Sequence, residues 1–179
     1  MQSRKKAIAY AKHPIHECLF PDGLFDVGIG EIVVTRKIAG GDIALSAFIL
    51  DVFCLGVKNA LFKAMNEHEY NSRYKKAIAL SHEGREFNEM HPSCVKKLIE
   101  DAVGYADELG FQPHRDYKNA KGLLDGIDPK ACPVKYQYGQ DNKPFYIQGP
   151  HETTSQVKKI LGKLHSKCGE DGYHYTAFF

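Results

Sequence analysis

The feature that most constrains the fold is the run Ile43-Ala44-Leu45-Ser46-Ala47-Phe48-Ile49-Leu50, which continues through Asp51 into Val52-Phe53-Cys54. A strand sends successive side chains to opposite faces, so a strand that meets water on one side alternates apolar with polar residues. In this run both sets of positions are almost wholly apolar. The segment therefore reads as an interior strand covered on both faces, and the rest of the chain has to supply a layer on each side. Upstream, Ile32-Val33-Val34-Thr35-Arg36-Lys37 is a second β-branched run, and Ala39-Gly40-Gly41-Asp42 between the two reads as a hairpin turn.

The remaining segments supply helices. Residues 3–12 carry Ala7, Ile8 and Ala11 among basic residues and suit a short amphipathic helix ended by Pro14. The spacing of Val57, Ala60, Leu61 and Met65 predicts another helix. Residues 66–90 are highly charged with few apolar anchors, which predicts an irregular, mobile excursion. The clearest helix follows His91-Pro92, with Ser93 as N-cap, Val95, Leu98, Ile99, Ala102, Ala106 and Leu109 on one face, and Gly110 as its stop. A shorter one is built around Tyr117, Ala120, Leu123 and Leu124.

Tyr136, Tyr138, Phe145 and Ile147 alternate around the turn-rich residues 139–144 and predict a second hairpin. The capping-box pattern Thr153-Thr154-Ser155-Gln156 opens a helix that buries Val157, Ile160, Leu161 and Leu164 and stops at Gly169, and residues 173–179 read as a last strand. Strands at both ends with helices between, and no βαβ alternation, predict an α+β fold. The expectation is one domain over residues 1–179, a mainly antiparallel sheet with two hairpins packed against three to five helices.

Composition bounds function by exclusion. A chain of 179 residues with 43% hydrophobic residues is not intrinsically disordered, and a formal charge of +2 is far from the basic footprint of a dedicated nucleic-acid binder. There is no run of apolar residues long enough to span a membrane and no apolar core of a secretion signal behind the first lysines, so the expected setting is cytoplasmic, with no membrane partner. Five cysteines (Cys18, Cys54, Cys94, Cys132 and Cys168), odd in number and never in a C-x-x-C pair, predict reduced thiols.

Three segments carry reactive side chains. His13, His16 and Cys18 form an H-x-x-H-x-C arrangement in which His16 and Cys18 share a strand face, and zinc is the ion such a set would take. Asp51, Cys54 and Lys58 mark the place where the apolar strand runs into a Gly-containing turn; a carboxylate there needs a partner, and a thiol there can be activated by nearby positive charge. His114, Asp116 and Tyr117 cluster where one helix ends and the next begins. The chain has no P-loop, no dinucleotide-binding glycine turn and no H-E-x-x-H, so no organic cofactor is expected.

Residues 50–58, 105–117 and 139–150 together resemble a family of uncharacterised bacterial proteins, a resemblance that brings no activity with it but implies that the three stretches belong together. The sharpest expected site is then a cleft gathering Asp51, Cys54, Lys58, His114, Asp116 and Tyr117. The expected function is a bacterial binding or regulatory domain whose partner is nucleic acid or another protein, held through an aromatic-rich sheet face and scattered lysines. The alternative is a small hydrolase or nuclease using Cys54, His114 and Asp116, with or without a metal.

Overall fold

The computed structural model of the chain describes residues 2–81 and 84–178. Its centre is a five-stranded antiparallel sheet made of β1 (Ile15–Pro21), β2 (Ile29–Lys37), β3 (Ile43–Asp51), β4 (Gly56–Met65) and β5 (Phe87–Glu89), in the order β4-β3-β2-β1-β5. The first four strands form a meander, and β5 returns to pair with the free edge of β1. The fold is α+β, as the sequence predicts.

β3 is an interior strand with both faces covered. On one face Phe48 and Leu50 meet Val95, Leu98, Ile99 and Ala102 of the long helix Pro92–Glu108; on the other, Leu45 and Ala47 join Leu19, Val33, Tyr70 and Ile78. A third cluster joins the β3–β4 turn (Cys54, Leu55) to the end of that long helix (Ala106, Leu109) and to Val157 and Leu164 of the helix Thr154–Cys168. This last helix opens with the capping box that the sequence announces, Thr153 and Gln156 each bonding the other's backbone N–H. Arg36 is buried within the sheet and donates to the carbonyl oxygens of His13, Leu123 and Asp125, which pins the start of β1 and the loop after residue 120 to β2.

Four expectations are corrected. Residues 57–65, predicted as a helix, are the strand β4. Their apolar spacing imitates a helix because Lys58 is the extra residue of a β-bulge between Val57 and Asn59, and because Met65 serves the opposite face from Val57 and Ala60. Of the charged stretch 66–90, expected to be irregular, residues 67–81 are helical, while residues 82 and 83 lie outside the described residues. Glu67–Glu69, a wide turn at Tyr70–Tyr74 and Lys75–Ser81 form a helical cover for the second sheet face, with Tyr70 fully buried and Lys75 paired to Glu17 at 3.0 Å.

The second predicted hairpin is also absent. Residues 140 and 143 do close a tight turn with Asp141 and Asn142 at positive φ, but Tyr136 and Tyr138 lie along the long helix and donate to the carbonyl oxygens of Cys94 and Leu98. The strand Phe145–Ile147 pairs instead, in parallel, with His174–Thr176. Finally, the expectation of reduced thiols fails at one pair: Cys94 and Cys132, with Cα atoms 4.9 Å apart, form a disulfide, while Cys18, Cys54 and Cys168 are free. The long helix brings Cys94 to the loop that carries Cys132, a proximity no spacing pattern encodes. A smaller difference concerns the start of that helix, where the His91 ring, not Ser93, is the capping group. Among the described residues no helix is long and apolar enough to cross a membrane.

The bond between Cys94 and Cys132 closes a separation of 38 residues. Reduction, or Cys94→Ala combined with Cys132→Ala, is expected to cost about 2–4 kcal/mol of stability, through the unfolded chain's regained freedom. A urea titration with and without reductant measures it.

Candidate functional site

The turn between β3 and β4 is held by one carboxyl group. Asp51, the last residue of β3, is 7% exposed, and its Oδ1 accepts the N–H of Phe53 at 3.0 Å and of Cys54 at 2.8 Å. That local arrangement needs only a short acidic side chain at the head of a turn, and it replaces the ladder bonds that the turning backbone gives up. The turn is then joined to three distant segments: Val52 donates to the Gly28 carbonyl oxygen, and Gly139 and Phe145 donate to the carbonyl oxygens of Val52 and Phe53.

Between these pieces lies a pocket of about 290 Å³ with Asp51 and Lys58 on its wall. Its apolar lining comes from Val27, Ile29, Phe53, Phe145 and Ile147, with the rings of Phe53 and Phe145 stacked at 5.9 Å between centroids. Gly28 lets Phe53 lie directly on the backbone: its φ is +85°, and a Cβ there would sit 2.1 Å from the Phe53 ring. Any other residue at position 28 would displace the ring that shapes the pocket.

Lys58 reaches this wall because it is the bulged residue of β4. Its ammonium pairs with Glu152 at 3.0 Å, and Glu152 also accepts the Tyr146 hydroxyl at 2.7 Å and the Gly149 N–H at 2.8 Å. Burial opposes ionisation of Glu152, but these hydrogen bonds and Lys58 outweigh it and hold the carboxyl below its ordinary range. Asp51 stands on the other side of that balance. Burial pushes its carboxyl up to about 6, against the turn's N–H groups and Lys58, which favour the charged form. Burial likewise raises the thiol of Cys54 and the hydroxyls of Tyr105 and Tyr146, which keeps these neighbours neutral where Asp51 titrates.

The six residues of the expected cleft therefore divide. Asp51 and Lys58 face one pocket. Cys54 is fully buried in the apolar cluster with Ala106, Leu109 and Tyr146, outside the pocket lining. His114 and Tyr117 line a different, wider cleft with Arg115, Lys118 and Lys121. There the His114 ring accepts the Asp116 N–H at 3.3 Å, and Tyr117 turns its ring edge to Phe48 in the core. The backbone does join the two regions, since His114 donates to the Val57 carbonyl oxygen at 2.8 Å.

The set His13, His16 and Cys18 is likewise not assembled. A bulge between Ile15 and Glu17 reverses the faces: His16 lies edge-on to Tyr70 on one side of the sheet, while Cys18 packs in the core on the other. Among the described residues no three His, Cys, Asp or Glu side chains gather as a metal site would require.

Glu152, Phe53, Phe145 and Gly149 are site residues that the sequence reading did not single out. Phe145 and Gly149 fall within the stretch of residues 139–150 that carries the resemblance, and the three stretches do meet in space around the β3–β4 turn. The ion pair between Lys58 and Glu152 joins positions far apart in the chain and leaves no local signal. No family model, curated protein or solved structure matches this chain.

Asp51 has a folded pKa near 6 against an ordinary 3.8, so the folded state holds its proton more tightly than the unfolded state does. The stabilising contribution is complete below about pH 4 and is lost as the pH rises through 6. Asp51→Asn keeps the oxygen that accepts the two turn N–H groups and removes the charge. The variant is expected to equal the native protein at pH 4 and to exceed it at pH 7 by on the order of 2–3 kcal/mol, as measured by denaturant unfolding at the two pH values.

Proposed function

We propose that the protein is a binding domain that takes a small amphipathic molecule into the pocket between Phe53, Phe145, Asp51 and Lys58. The observation that carries this reading is Asp51: a carboxyl almost wholly removed from water, raised toward neutrality, and set on the wall of an apolar pocket. A buried charge of this kind costs stability, and residues with that property in a concave apolar site are the usual mark of a ligand site. The rest of the pocket is consistent with binding in place of bond-breaking, because neither the Cys54 thiol nor a histidine is among the lining residues.

A nucleic-acid partner held on an aromatic sheet face is the weaker version of the binding reading, since helices cover both faces of the sheet. A bacterial cytoplasmic setting belongs to the same proposal. The bond between Cys94 and Cys132 is the observation that bears against it, because such bonds persist mainly in oxidising compartments.

The chain has no tryptophan, so Phe145→Trp places a single fluorescent reporter in the pocket wall. Titrating that variant with phenethylamine, benzyl alcohol and phenylacetate is expected to give a saturable emission change with at least one of them. Val27 and Ile147 are partly exposed at the pocket and can be enlarged without disturbing the core. Val27→Tyr or Ile147→Tyr is expected to weaken that binding at least about tenfold at unchanged thermal stability. Saturable binding that ignores both substitutions would move the site elsewhere.

A further inference from the structure

The charges around the pocket do not balance, and the imbalance has a location. Glu152 sits behind Lys58, off the pocket lining, and is satisfied three times over by Tyr146, Gly149 and Lys58. Lys58 is thereby committed to an acidic partner already. Asp51 is left as the surplus. Its Oδ1 takes the N–H groups of Phe53 and Cys54, and the Leu55 N–H also favours the charged carboxyl. Asp51 is on the lining of the pocket, where a ligand can reach its carboxyl.

We infer that the ligand of this pocket is an amine that presents a protonated nitrogen to the Asp51 carboxyl and an apolar body to Phe53 and Phe145. The inference rests on the pocket being the binding site and names the chemistry it selects. An ammonium brings the Asp51 carboxylate the opposite charge that burial makes favourable, in the strong, charge-assisted form of the interaction. The stacked ring pair offers the apolar part of such a molecule a matching wall and its cationic end a favourable ring face. A carboxylate ligand meets the opposite conditions: it must draw Lys58 away from Glu152 while standing beside Asp51. A neutral alcohol can donate to the same carboxyl but brings no charge.

The charged and titratable groups facing Asp51 are Lys58 from β4, Cys54 from the turn, Tyr105 from the long helix and Tyr146 from the strand Phe145–Ile147, with Glu152 behind Lys58. Of these, Asp51 is the group placed to change charge between mildly acidic and neutral pH. An ammonium ligand favours its ionised form, so amine affinity must rise with pH across that interval and then level off.

The test uses the native protein and isothermal titration with phenethylamine, benzyl alcohol and phenylacetate at pH 5 and pH 7.5. The amine is expected to bind about ten- to a hundredfold more tightly than the alcohol at pH 7.5, to lose most of that advantage at pH 5, and to exceed phenylacetate at both. Asp51→Asn, checked for folding by circular dichroism, is expected to bring the amine to the level of the alcohol and to abolish the pH dependence. Equal binding of amine and alcohol, or preferred binding of phenylacetate, overturns the amine inference and leaves the pocket reading standing. Binding of none of the three, in this titration and in the tryptophan-reporter experiment, overturns both.

Discussion

The architecture around the pocket depends on one side chain accepting two backbone hydrogens. By taking the N–H groups of Phe53 and Cys54, Asp51 turns the interior strand sharply at its end, and the turned backbone then offers its remaining groups outward. Gly28, Gly139 and Phe145 all bond to Val52 or Phe53, so the corner before β2, the loop after the long helix and the short parallel strand are each referenced to the same two residues. Backbone polar groups cannot be left unpaired in the interior, and this is how four chain segments come to meet at one place.

That economy has an energetic cost. An interior strand that ends on a carboxylate must desolvate it, and Lys58 offsets this only in part because Glu152 claims its ammonium at 3.0 Å. A core optimised for stability alone would place a neutral acceptor at this position, since asparagine can make the same two bonds. The fold bears the charge where it also has a pocket. Stability given up at a concave, apolar surface is the common signature of a place shaped for binding, and here the two features share a residue.

The β-bulge at Lys58 shows how the same residue could be misread in the sequence and be decisive in the structure. One inserted residue moves Val57 out of phase with Asn59 and onto the face of Ala60, which turns a period of two into an apparent helical spacing. The insertion also sends the lysine toward the pocket, a use of bulges that regular pairing does not provide. The bulge at His16 has the opposite effect on a candidate site: it separates His16 from Cys18 across the sheet and dissolves a ligand set that strict alternation predicts.

Local pattern by itself determined the interior strand, the hairpin into it from β2, the long helix after His91-Pro92, the capped helix beginning at Thr153, and the oddity of Asp51 in an apolar run. These follow from periodicity, capping and turn chemistry, which act over a few neighbouring residues. The tertiary structure alone decided the partner of Lys58, the disulfide between Cys94 and Cys132, the parallel pairing of the last two strands, and the division of the expected cleft into a pocket at Asp51 and a separate surface at His114. Each of these is a contact between residues far apart in the chain. Such contacts are chosen by which surfaces the core brings together, and a sequence read a few residues at a time carries no record of that choice.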